Sequence, residues 1–321
     1  MISSKKCVSV FIPTFNGEKY IAATITAVLD QKVPEGYDLE LLIIDSGSRD
    51  ETVEIIKKFL SDQRVKLIEI PNKQFGHGKT RQLAVAKTRG EFVLFLTQDA
   101  TPANSLWLRN MIKPFQLSDQ VGCVFGRQIP RWDAVPTIKR EVASVFANFG
   151  PSGAIIFNQN PNNYFFSDVN SAVSRKSIAK VPFRDLPYAE DQALAQDMMK
   201  HGFVKAYAPD GAVNHSNEYT MREFFGRKFD EFIGLQNSVD YTLKPSKKSL
   251  WLGWIKPAWA DIKFTLRDRE YGKKRKLKYF WLAIGYNISV ARARYAAAKY
   301  FGDDDAVNQL SLEARAKRSI K

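Results

Sequence analysis

Residues 90–100 read GEFVLFLTQDA, an almost wholly apolar run that ends in the polar tripeptide Thr97-Gln98-Asp99. The run is too short for a surface helix and is typical of a strand buried on both faces. In an open α/β sheet, ligands bind just outside the carboxyl ends of the strands, which is where Asp99 is expected to lie. A carboxylate there can hold a divalent cation against a phosphorylated ligand. Alternatively, Asp99 only caps the turn that contains Thr101-Pro102.

Strand and helix patterns alternate on the N-terminal side of this run. Strands are predicted at residues 8–12, 39–44 and 65–70, and helices at residues 22–31, 50–60 and 79–89. This alternation predicts parallel pairing with right-handed crossovers, and therefore a doubly wound sheet. Neither GxGxxG nor GxxxxGK[ST] occurs, so the usual dinucleotide and P-loop phosphate cradles are absent.

The pattern is less regular after residue 114. Strands are predicted at residues 121–126, 166–175 and 203–208, and a helix opens at Glu190-Asp191 and runs to residue 202. A long loop at residues 148–166 would suit an acceptor-binding wall, because long irregular loops inside a compact domain are usually functional. Acidic residues in the first turn of a helix also suit its dipole, which gives Glu190 and Asp191 a purely structural alternative.

Cysteine content and hydropathy indicate a cytoplasmic setting. Cys7 and Cys123 are the two cysteines of 321 residues, which argues against a disulfide framework or a thiolate metal site. The apolar stretch after Lys5-Lys6 is interrupted at Pro13 and is too short for a signal-peptide core. No run approaches the roughly 18 apolar residues of a transmembrane helix.

The net charge of +14 is concentrated in the C-terminal quarter. Residues 246–321 hold 18 Lys or Arg against 7 Asp or Glu, whereas residues 1–245 hold 30 against 27. We therefore expect one domain over residues 1–235 and a basic, aromatic, helical region over residues 236–321. Trp251, Trp254 and Trp259 recur there at helical spacing, near the basic run 273–276. The region is expected either to contact the inner face of the cell membrane peripherally, or to pack against the first domain or a second subunit of a homo-oligomer.

Four motifs resemble those of the inverting glycosyltransferases of family 2, which have the GT-A fold. They are VSVFIPTFN at residues 8–16, LIIDSGSRD at residues 42–50, Thr97-Gln98-Asp99 and Ala189-Glu190-Asp191. The third motif corresponds to the family's metal-binding Asp-x-Asp, and the fourth resembles the motif that carries the catalytic base. The resemblance covers residues 7–235. It implies an α/β fold with a Rossmann-like, mostly parallel sheet and flanking helices, followed by the basic helical extension.

The resemblance also implies roles for individual residues. Asp191 is expected to be the catalytic base, with Glu190 positioning the acceptor or the donor sugar. The donor nucleotide is expected to contact Pro13, Thr14, Phe15, Asp45, His77, Gly78, Lys79, Arg81 and Gln98. Asp99 and His215 are expected to hold Mg²⁺ or Mn²⁺, although Thr97 replaces the first acidic residue of the metal motif. Asp45 as a turn cap, Lys79 and Arg81 as solvated charges, and His215 as a structural histidine remain alternatives.

Residues 75–81, 97–102 and 214–220 look most like those of bacterial rhamnosyltransferases. That likeness implies a dTDP-L-rhamnose donor, a saccharide or lipid-linked acceptor, and a place in the synthesis of cell-wall or surface polysaccharide. A UDP- or GDP-sugar donor is an alternative within the family. A nucleotidyltransferase, an inactive sugar-nucleotide binder and a nucleic-acid-binding protein are alternatives from other classes, the last suggested by a pI near 9.6. Against nucleic acid, the charge surplus is confined to the C-terminal quarter and no nucleic-acid module is recognisable.

Overall fold

The computed structural model describes residues 5–150, 153–216, 219–269 and 271–319. The chain divides into two compact units, one of Met1–Ile129 with Val145–His215 and the other of Pro130–Ser144 with Ser216–Lys321. The boundary expected from composition, after residue 235, differs from this one, which falls after His215. Residues 130–144 belong to the second unit although the chain returns to the first unit after them.

The first unit is an alternating α/β arrangement. Its elements are β1 (Lys6–Thr14), α1 (Ile21–Leu29), β2 (Tyr37–Asp45), α2 (Thr52–Lys57), β3 (Val65–Glu69), a short 3-10 helix (Asn72–Gln74), α3 (His77–Lys87), β4 (Phe92–Leu96), β5 (Thr101–Pro102), α4 (Trp107–Leu117), β6 (Val121–Ile129), the end of α5 (Pro136–Ala147), β7 (Ile156–Asn158), β8 (Asn170–Ser174), α6 (Arg175–Lys180), α7 (Glu190–Lys200) and β9 (Val204–Asn214).

The nine strands of the described residues form one sheet in the order β3-β2-β1-β4-β8-β6-β9-β5, with β7 paired to β9. Strands β1 to β4 are parallel to one another, as the alternation predicts. Strand β8 then runs antiparallel to both β4 and β6, while β6 and β9 are parallel. Because β8 is reversed, its first residue, Asn170, lies at the edge where β4 ends, opposite Leu96. The predicted α/β class with helices flanking the sheet is confirmed.

The core explains the pattern of β4, whose five residues are all buried. Alternate residues of the sheet, including Val10 and Leu94, pack with α1, α2 and α4 in one cluster. On the opposite face, Phe95 packs edge-on against Phe11 and Phe183. A strand covered on both faces carries apolar residues at every position, which is why the central strands lack a polar alternation.

The segment predicted as a long loop, residues 148–166, contains the short strand β7, whose register puts Ile156 beside Tyr207 of β9. Pro151 and Ser152 lie outside the described residues. The buried Lys205 side chain donates to the carbonyl oxygens of Asn163 and Phe165 and so ties the segment to β9. This segment is therefore held by specific contacts along much of its described length.

The second unit is helical. It contains the first part of α5 and the helices α8 (Met221–Ser238), α9 (Lys247–Leu252), α10 (Ile255–Arg267), α11 (Lys273–Lys299), α12 (Asp304–Leu310) and α13 (Leu312–Ser319). Thr220 and Glu223 form a capping box at the start of α8. Phe229 and Ile233 of α8 pack against Ala293 and Ala297 of α11. The predicted boundary after residue 235 would cut through α8. Within the described residues, no helix combines the length and apolar character needed to cross a bilayer.

Candidate functional site

The ends of β1 and β2 are joined through Asp45. Its carboxylate accepts hydrogen bonds from the Thr14 hydroxyl (3.0 Å), from the backbone N–H groups of Gly47 and Ser48 (2.9 Å each) and from the Ser48 hydroxyl (2.5 Å). Asp45 is buried. These contacts give Asp45 the turn-capping role that the sequence left open, and they fix the loop after β2 against β1. Contact between Asp45 and a nucleotide stays a prediction.

Gln98 joins the ends of β1 and β4. Its side-chain oxygen accepts from the Phe15 N–H at 2.9 Å, and its side-chain nitrogen donates to the Phe15 carbonyl at 3.1 Å. A Cβ atom on Gly17 would lie 2.3 Å from the Gln98 side-chain oxygen, so only glycine leaves room for this clamp. Pro13 is half-buried in β1. Pro13, Thr14, Phe15 and Gln98 therefore lie together at the carboxyl edge of the sheet.

Asp99 and His215 face each other across this edge. Strand β5 pairs with the end of β9, with Thr101 opposite Asn214, which brings His215 Nε2 to 3.4 Å from Asp99 Oδ2. The buried His215 ring is oriented by Gln128, whose side-chain oxygen lies 3.0 Å from Nδ1. Burial opposes ionisation of Asp99, but the hydrogen bond and charge of His215 outweigh it and hold the Asp99 pKa at about 2.

The Asp99–His215 pair suits a cation. The Gln128 side-chain nitrogen donates to Ser167 at 3.1 Å, so its oxygen is left to accept the Nδ1–H proton of His215. The uncharged ring with its proton on Nδ1 offers the Nε2 lone pair to a cation beside Asp99, whereas the charged ring donates Nε2–H to Asp99, which is the contact that lowers the Asp99 pKa. Neighbouring ligands of an octahedral Mg²⁺ lie roughly 3 Å apart, close to the observed separation. Among the described residues, no group of three or more His, Cys, Asp or Glu is arranged as a metal site.

A second cluster lies where α7 begins, and it contains three carboxylates and one guanidinium. Arg81 of α3 pairs through Nη1 with Glu190 Oε1 at 2.5 Å and through Nε with Asp168 Oδ2 at 2.8 Å. The backbone N–H of Asp168 donates to Asp191 Oδ2 at 3.2 Å. Arg81, Asp168 and Glu190 are buried, whereas Asp191 is half-buried. The three carboxylates outnumber the one cation, which favours keeping a proton in the cluster.

The electrostatics of this cluster single out Asp191. Burial, with the negative charges of Glu190 and Asp168, raises the Asp191 pKa to about 7. Burial also raises the Asp168 pKa to about 6, although Arg81 opposes this rise. A carboxylate with a pKa near the ambient pH is an effective general base, because it is unprotonated for much of the time and still accepts a proton readily. Asp191 therefore has the property required of the predicted base.

The backbone at the start of α7 is unusual. Ala189, which precedes Glu190, has φ 59°, a left-handed conformation that is uncommon for a residue with a Cβ atom. Ala189 is buried, so its surroundings hold it in place. Outliers of this kind cluster at functional sites. Here the turn directs the chain into the helix whose first two residues are Glu190 and Asp191.

Residues 75–81 line the same region but differ in exposure. The His77 ring packs edge-on against Phe75 (5.1 Å between centroids) and Tyr188 (6.4 Å). A Cβ atom on Gly78 would lie 2.1 Å from the Arg184 carbonyl oxygen, so Gly78 permits a close backbone approach. Lys79 is exposed. The Arg81 guanidinium is engaged by carboxylates of this chain, and its predicted contact with a nucleotide stays a prediction.

Short contacts link the two clusters along the sheet edge. Leu96 is paired with Asn170, and the Thr97 N–H approaches the Val169 carbonyl at 3.4 Å. The backbone N–H of Asp168, the residue before Val169, donates to the Asp191 carboxylate. Asp99 therefore follows the end of β4, and Asp191 contacts the segment that leads into the neighbouring strand, β8. Of residues 214–220, which look like those of rhamnosyltransferases, Asn217 and Glu218 lie outside the described residues.

Sequence reasoning missed the roles of Asp168 and Gln128. Asp168 was part of a predicted strand, and Gln128 followed another. Each is a polar residue directly beside an apolar run at a strand terminus, and that position was the signal available. Their partners, Asp191 and His215, are far away in the chain, so the sequence did not indicate the pairing.

Comparison with known proteins identifies the family. The model of glycosyl transferase family 2 matches residues 9–181. An O-antigen chain rhamnosyltransferase of Salmonella typhimurium is 33% identical over 235 residues, 70% of each chain. Another, from Salmonella anatum, is 33% identical over 200 residues, which cover 60% of this chain and 61% of that protein.

Solved structures share the fold. The mannosyltransferase PcManGT from Pyrobaculum calidifontis, determined in complex with GDP-Man and Mn²⁺, matches with a TM-score of 0.61 and 18% identity, over 92% of this chain and 87% of that one. Residues 1–349 of TarS from Staphylococcus aureus match with a TM-score of 0.51 and 18% identity, over 92% and 91% of the two chains. At these identities the likeness concerns the fold, whereas the family follows from the sequence matches: this chain belongs to glycosyl transferase family 2 and is a glycosyltransferase.

Proposed function

We propose that this glycosyltransferase moves L-rhamnose from dTDP-β-L-rhamnose to a hydroxyl of a saccharide or lipid-linked saccharide, with inversion, in the synthesis of bacterial surface polysaccharide. The observation that carries the mechanism is geometric: Asp191 contacts the backbone of Asp168 at the sheet edge that also holds the Asp99–His215 pair, and its raised pKa, about 7, suits a base. The sugar and the pathway are suggested by the Salmonella relatives, both named as O-antigen chain rhamnosyltransferases.

Asp191 is the proposed general base. Its carboxylate takes the proton of the acceptor hydroxyl while that oxygen attacks the anomeric carbon from the face opposite the leaving nucleoside diphosphate. A β-linked donor then gives an α-L-rhamnoside. Glu190 is proposed to position the acceptor or the donor sugar, and its contact with Arg81 fixes the direction of its side chain.

The donor nucleotide is proposed to lie along the ends of β1, β2 and β4. Thr14, Phe15 and Asp45 would face the nucleoside beside Pro13, and Gln98 would hold their loop in position. His77, Gly78, Lys79 and Arg81 form the wall proposed beside the base or diphosphate. The exposed Lys79 is the residue of this wall best placed to meet a phosphate without breaking an ion pair of the protein.

Asp99 and His215 are the proposed ligands of Mg²⁺ or Mn²⁺. Such an ion would neutralise the negative charge that develops on the diphosphate as it leaves. Two protein ligands are few for either ion, so the donor phosphates and water are expected to complete its coordination. Mn²⁺ in PcManGT, a protein with the same fold, is consistent with this assignment.

The donor assignment is tested by thermal stabilisation with a panel of dTDP-, UDP- and GDP-sugars, with and without Mn²⁺, on the wild type and Asp99→Asn. We expect dTDP-L-rhamnose with Mn²⁺ to stabilise the wild type most, and the Mn²⁺-dependent part to be lost in Asp99→Asn. Preference for a UDP- or GDP-sugar would overturn the rhamnose assignment but keep the family chemistry. Product analysis should find a nucleoside diphosphate; release of pyrophosphate would indicate nucleotidyl transfer.

Asp168→Asn should shift the pH dependence of transfer. The Asp168 charge raises the Asp191 pKa and also balances part of Arg81, so its removal should lower that pKa. Because a base must be unprotonated, the transfer rate decreases at pH values below the pKa of Asp191. The acidic limb of the pH–rate profile should therefore move to lower pH by about one unit. Asp197→Asn, on the same helix, should leave the limb in place. An unmoved limb in Asp168→Asn would exclude this electrostatic role.

A further inference from the structure

The second unit carries large apolar side chains that are exposed among the residues that the structure describes. Along α10, Ile255, Trp259 and Leu266 are 47%, 54% and 58% exposed. Their spacing of four and seven residues puts them on one side of the helix. The residues of α10 that are buried lie on a different side; they are Ala258, Asp261, Ile262 and Thr265. Helix α10 therefore has one buried side of mixed character and a separate, exposed apolar side.

The start of α11, next to the end of α10, also exposes apolar side chains. Leu277 and Trp281, one turn apart, are 64% and 65% exposed. The Lys276 ammonium donates to the Leu266 carbonyl at 2.9 Å, so the end of α10 and the start of α11 are neighbours. Trp251 and Leu252, also exposed, end α9 shortly before α10 begins. We call Trp251, Leu252, Ile255, Trp259, Leu266, Leu277 and Trp281 the apolar face.

Basic residues are interspersed along the chain with those of the apolar face. Residues 247–281 contain 11 Lys or Arg and 3 Asp or Glu. One of those acids, Asp261, is fully buried, where Arg140 and Asn287 bind its carboxylate. The Lys263 ammonium lies 5.5 Å from the centre of the Trp259 ring, and Lys273, Lys274 and Arg275 open α11 in exposed positions. The charge of this surface thus calls for an anionic partner.

We propose that the apolar face docks on the surface of an anionic phospholipid bilayer, with its Trp and aliphatic side chains at the acyl boundary and its Lys and Arg side chains at the lipid phosphates. Apolar residues combined with surrounding cations are the pattern of a helix lying in a membrane interface. A second copy fits less well, because two such faces meeting across a twofold axis would bring like charges together. Nucleic acid offers no apolar partner for Leu252, Ile255, Leu266 and Leu277.

The proposal is tested by cosedimentation of the full chain with vesicles of phosphatidylglycerol and phosphatidylcholine, and with vesicles of phosphatidylcholine alone. We expect binding to the anionic vesicles only, weakening as salt is raised. The double variant Trp259→Ala/Trp281→Ala should lower the partition coefficient about tenfold, because two exposed rings lose their burial in the interface. The triple variant Lys273→Gln/Lys274→Gln/Arg275→Gln should lower it by at least as much and reduce the salt dependence.

Matched controls separate this face from general surface effects. Phe301→Ala removes an aromatic ring that is also about half exposed but lies beyond the other end of α11. Lys57→Gln/Lys58→Gln/Lys113→Gln removes three exposed cations from the first unit. Both controls should bind vesicles as the wild type does. All the replaced side chains are exposed, so unchanged circular dichroism and melting temperature are expected throughout.

Three results would overturn the proposal: no binding to anionic vesicles, equal binding by the face variants and the controls, or loss of a wild-type dimer in the face variants without loss of vesicle binding. If the wild type shifts RNA or DNA in a gel at physiological salt and the face variants do not, the partner of the apolar face would be nucleic acid and not a bilayer. The outcome is independent of the proposed rhamnosyl transfer, since transfer to a water-soluble acceptor should be equal in the wild type and the face variants.

Discussion

Asp191→Asn is expected to lower the rate of sugar transfer about a thousandfold while donor binding is retained. The amide has nearly the shape of the carboxylate and can still accept the Asp168 N–H, but it cannot take a proton from the acceptor. The measurement is kcat for transfer together with the Kd for the donor nucleotide. Loss of both quantities would mean that Asp191 shapes the donor site; an active variant would move the base elsewhere, with Glu190 the next candidate.

The same substitution should stabilise the protein at alkaline pH. The folded-state pKa of Asp191, about 7, lies above the ordinary value of about 3.9 for an unfolded chain. Ionisation of Asp191 therefore costs stability progressively as the pH rises from about 4 through 7. Asn removes this cost. A shift of about 3 pKa units corresponds to about 4 kcal/mol, and solvent screening of the half-buried carboxylate reduces it, so we expect a gain in the free energy of unfolding on the order of 2 kcal/mol at pH 8, vanishing towards pH 4.

Asp197→Asn is the matched control for both measurements. Asp197 lies two turns later on α7 and pairs with Arg184 at 2.9 Å with both side chains partly exposed. Removing a pair of this kind changes stability by about 1 kcal/mol or less. We expect neither the loss of transfer nor the alkaline stabilisation in Asp197→Asn. An Asp191→Asn protein that is less stable than the wild type at pH 8 would contradict a raised pKa at this position.

The first half of the sheet could be predicted from the sequence because its signals are local. Strands β1 to β4 are short apolar runs separated by helices, and parallel order follows from that alternation alone. Strand β8 pairs antiparallel with β4 across some 80 residues of chain, with Phe92 opposite Ser174. Such a pairing is chosen by packing of the whole sheet and leaves no local mark. Strands β5 and β7 have two and three residues, too few for a periodic pattern.

The sequence likewise predicted those residues of the candidate site that stand in local motifs, but not the pairings between distant residues. Asp99 and Asp191 stand in motifs with fixed neighbours, and the family that those motifs suggested is confirmed. The ion pair of Arg81 with Asp168 joins residues 87 positions apart, and exposed and buried arginines look alike in a sequence.

The helix predicted from Asp50 begins at Thr52, because the Asp50 carboxylate caps the preceding turn by accepting from the Thr52 N–H at 3.1 Å.

Arg81→Met should produce the largest loss of stability in this set. Arg81 is the buried cation that pairs with Asp168 and Glu190, at 2.8 and 2.5 Å. Methionine fills similar space but leaves both carboxylates without their counter-charge. Breaking a buried pair in this way typically costs about 3–5 kcal/mol. We expect a loss of that size in the free energy of unfolding at pH 8, measured by denaturant titration of the first unit's transition.

The pH dependence and a rescue separate this electrostatic effect from lost packing. Without Arg81 the folded state holds protons on these carboxylates that the unfolded chain has released, so the loss should grow as pH rises and shrink towards pH 5. Adding Asp168→Asn and Glu190→Gln to Arg81→Met removes the unpaired charges and should restore most of the stability, because an uncharged cluster needs no counter-ion. Arg64→Met, which breaks a partly exposed pair with Asp62, should cost about 1 kcal/mol or less. A pH-independent loss with no rescue would mean that the Arg81 side chain stabilises the fold through its volume. That result would contradict the description of this cluster as one governed by charge, on which the raised pKa of Asp191 depends.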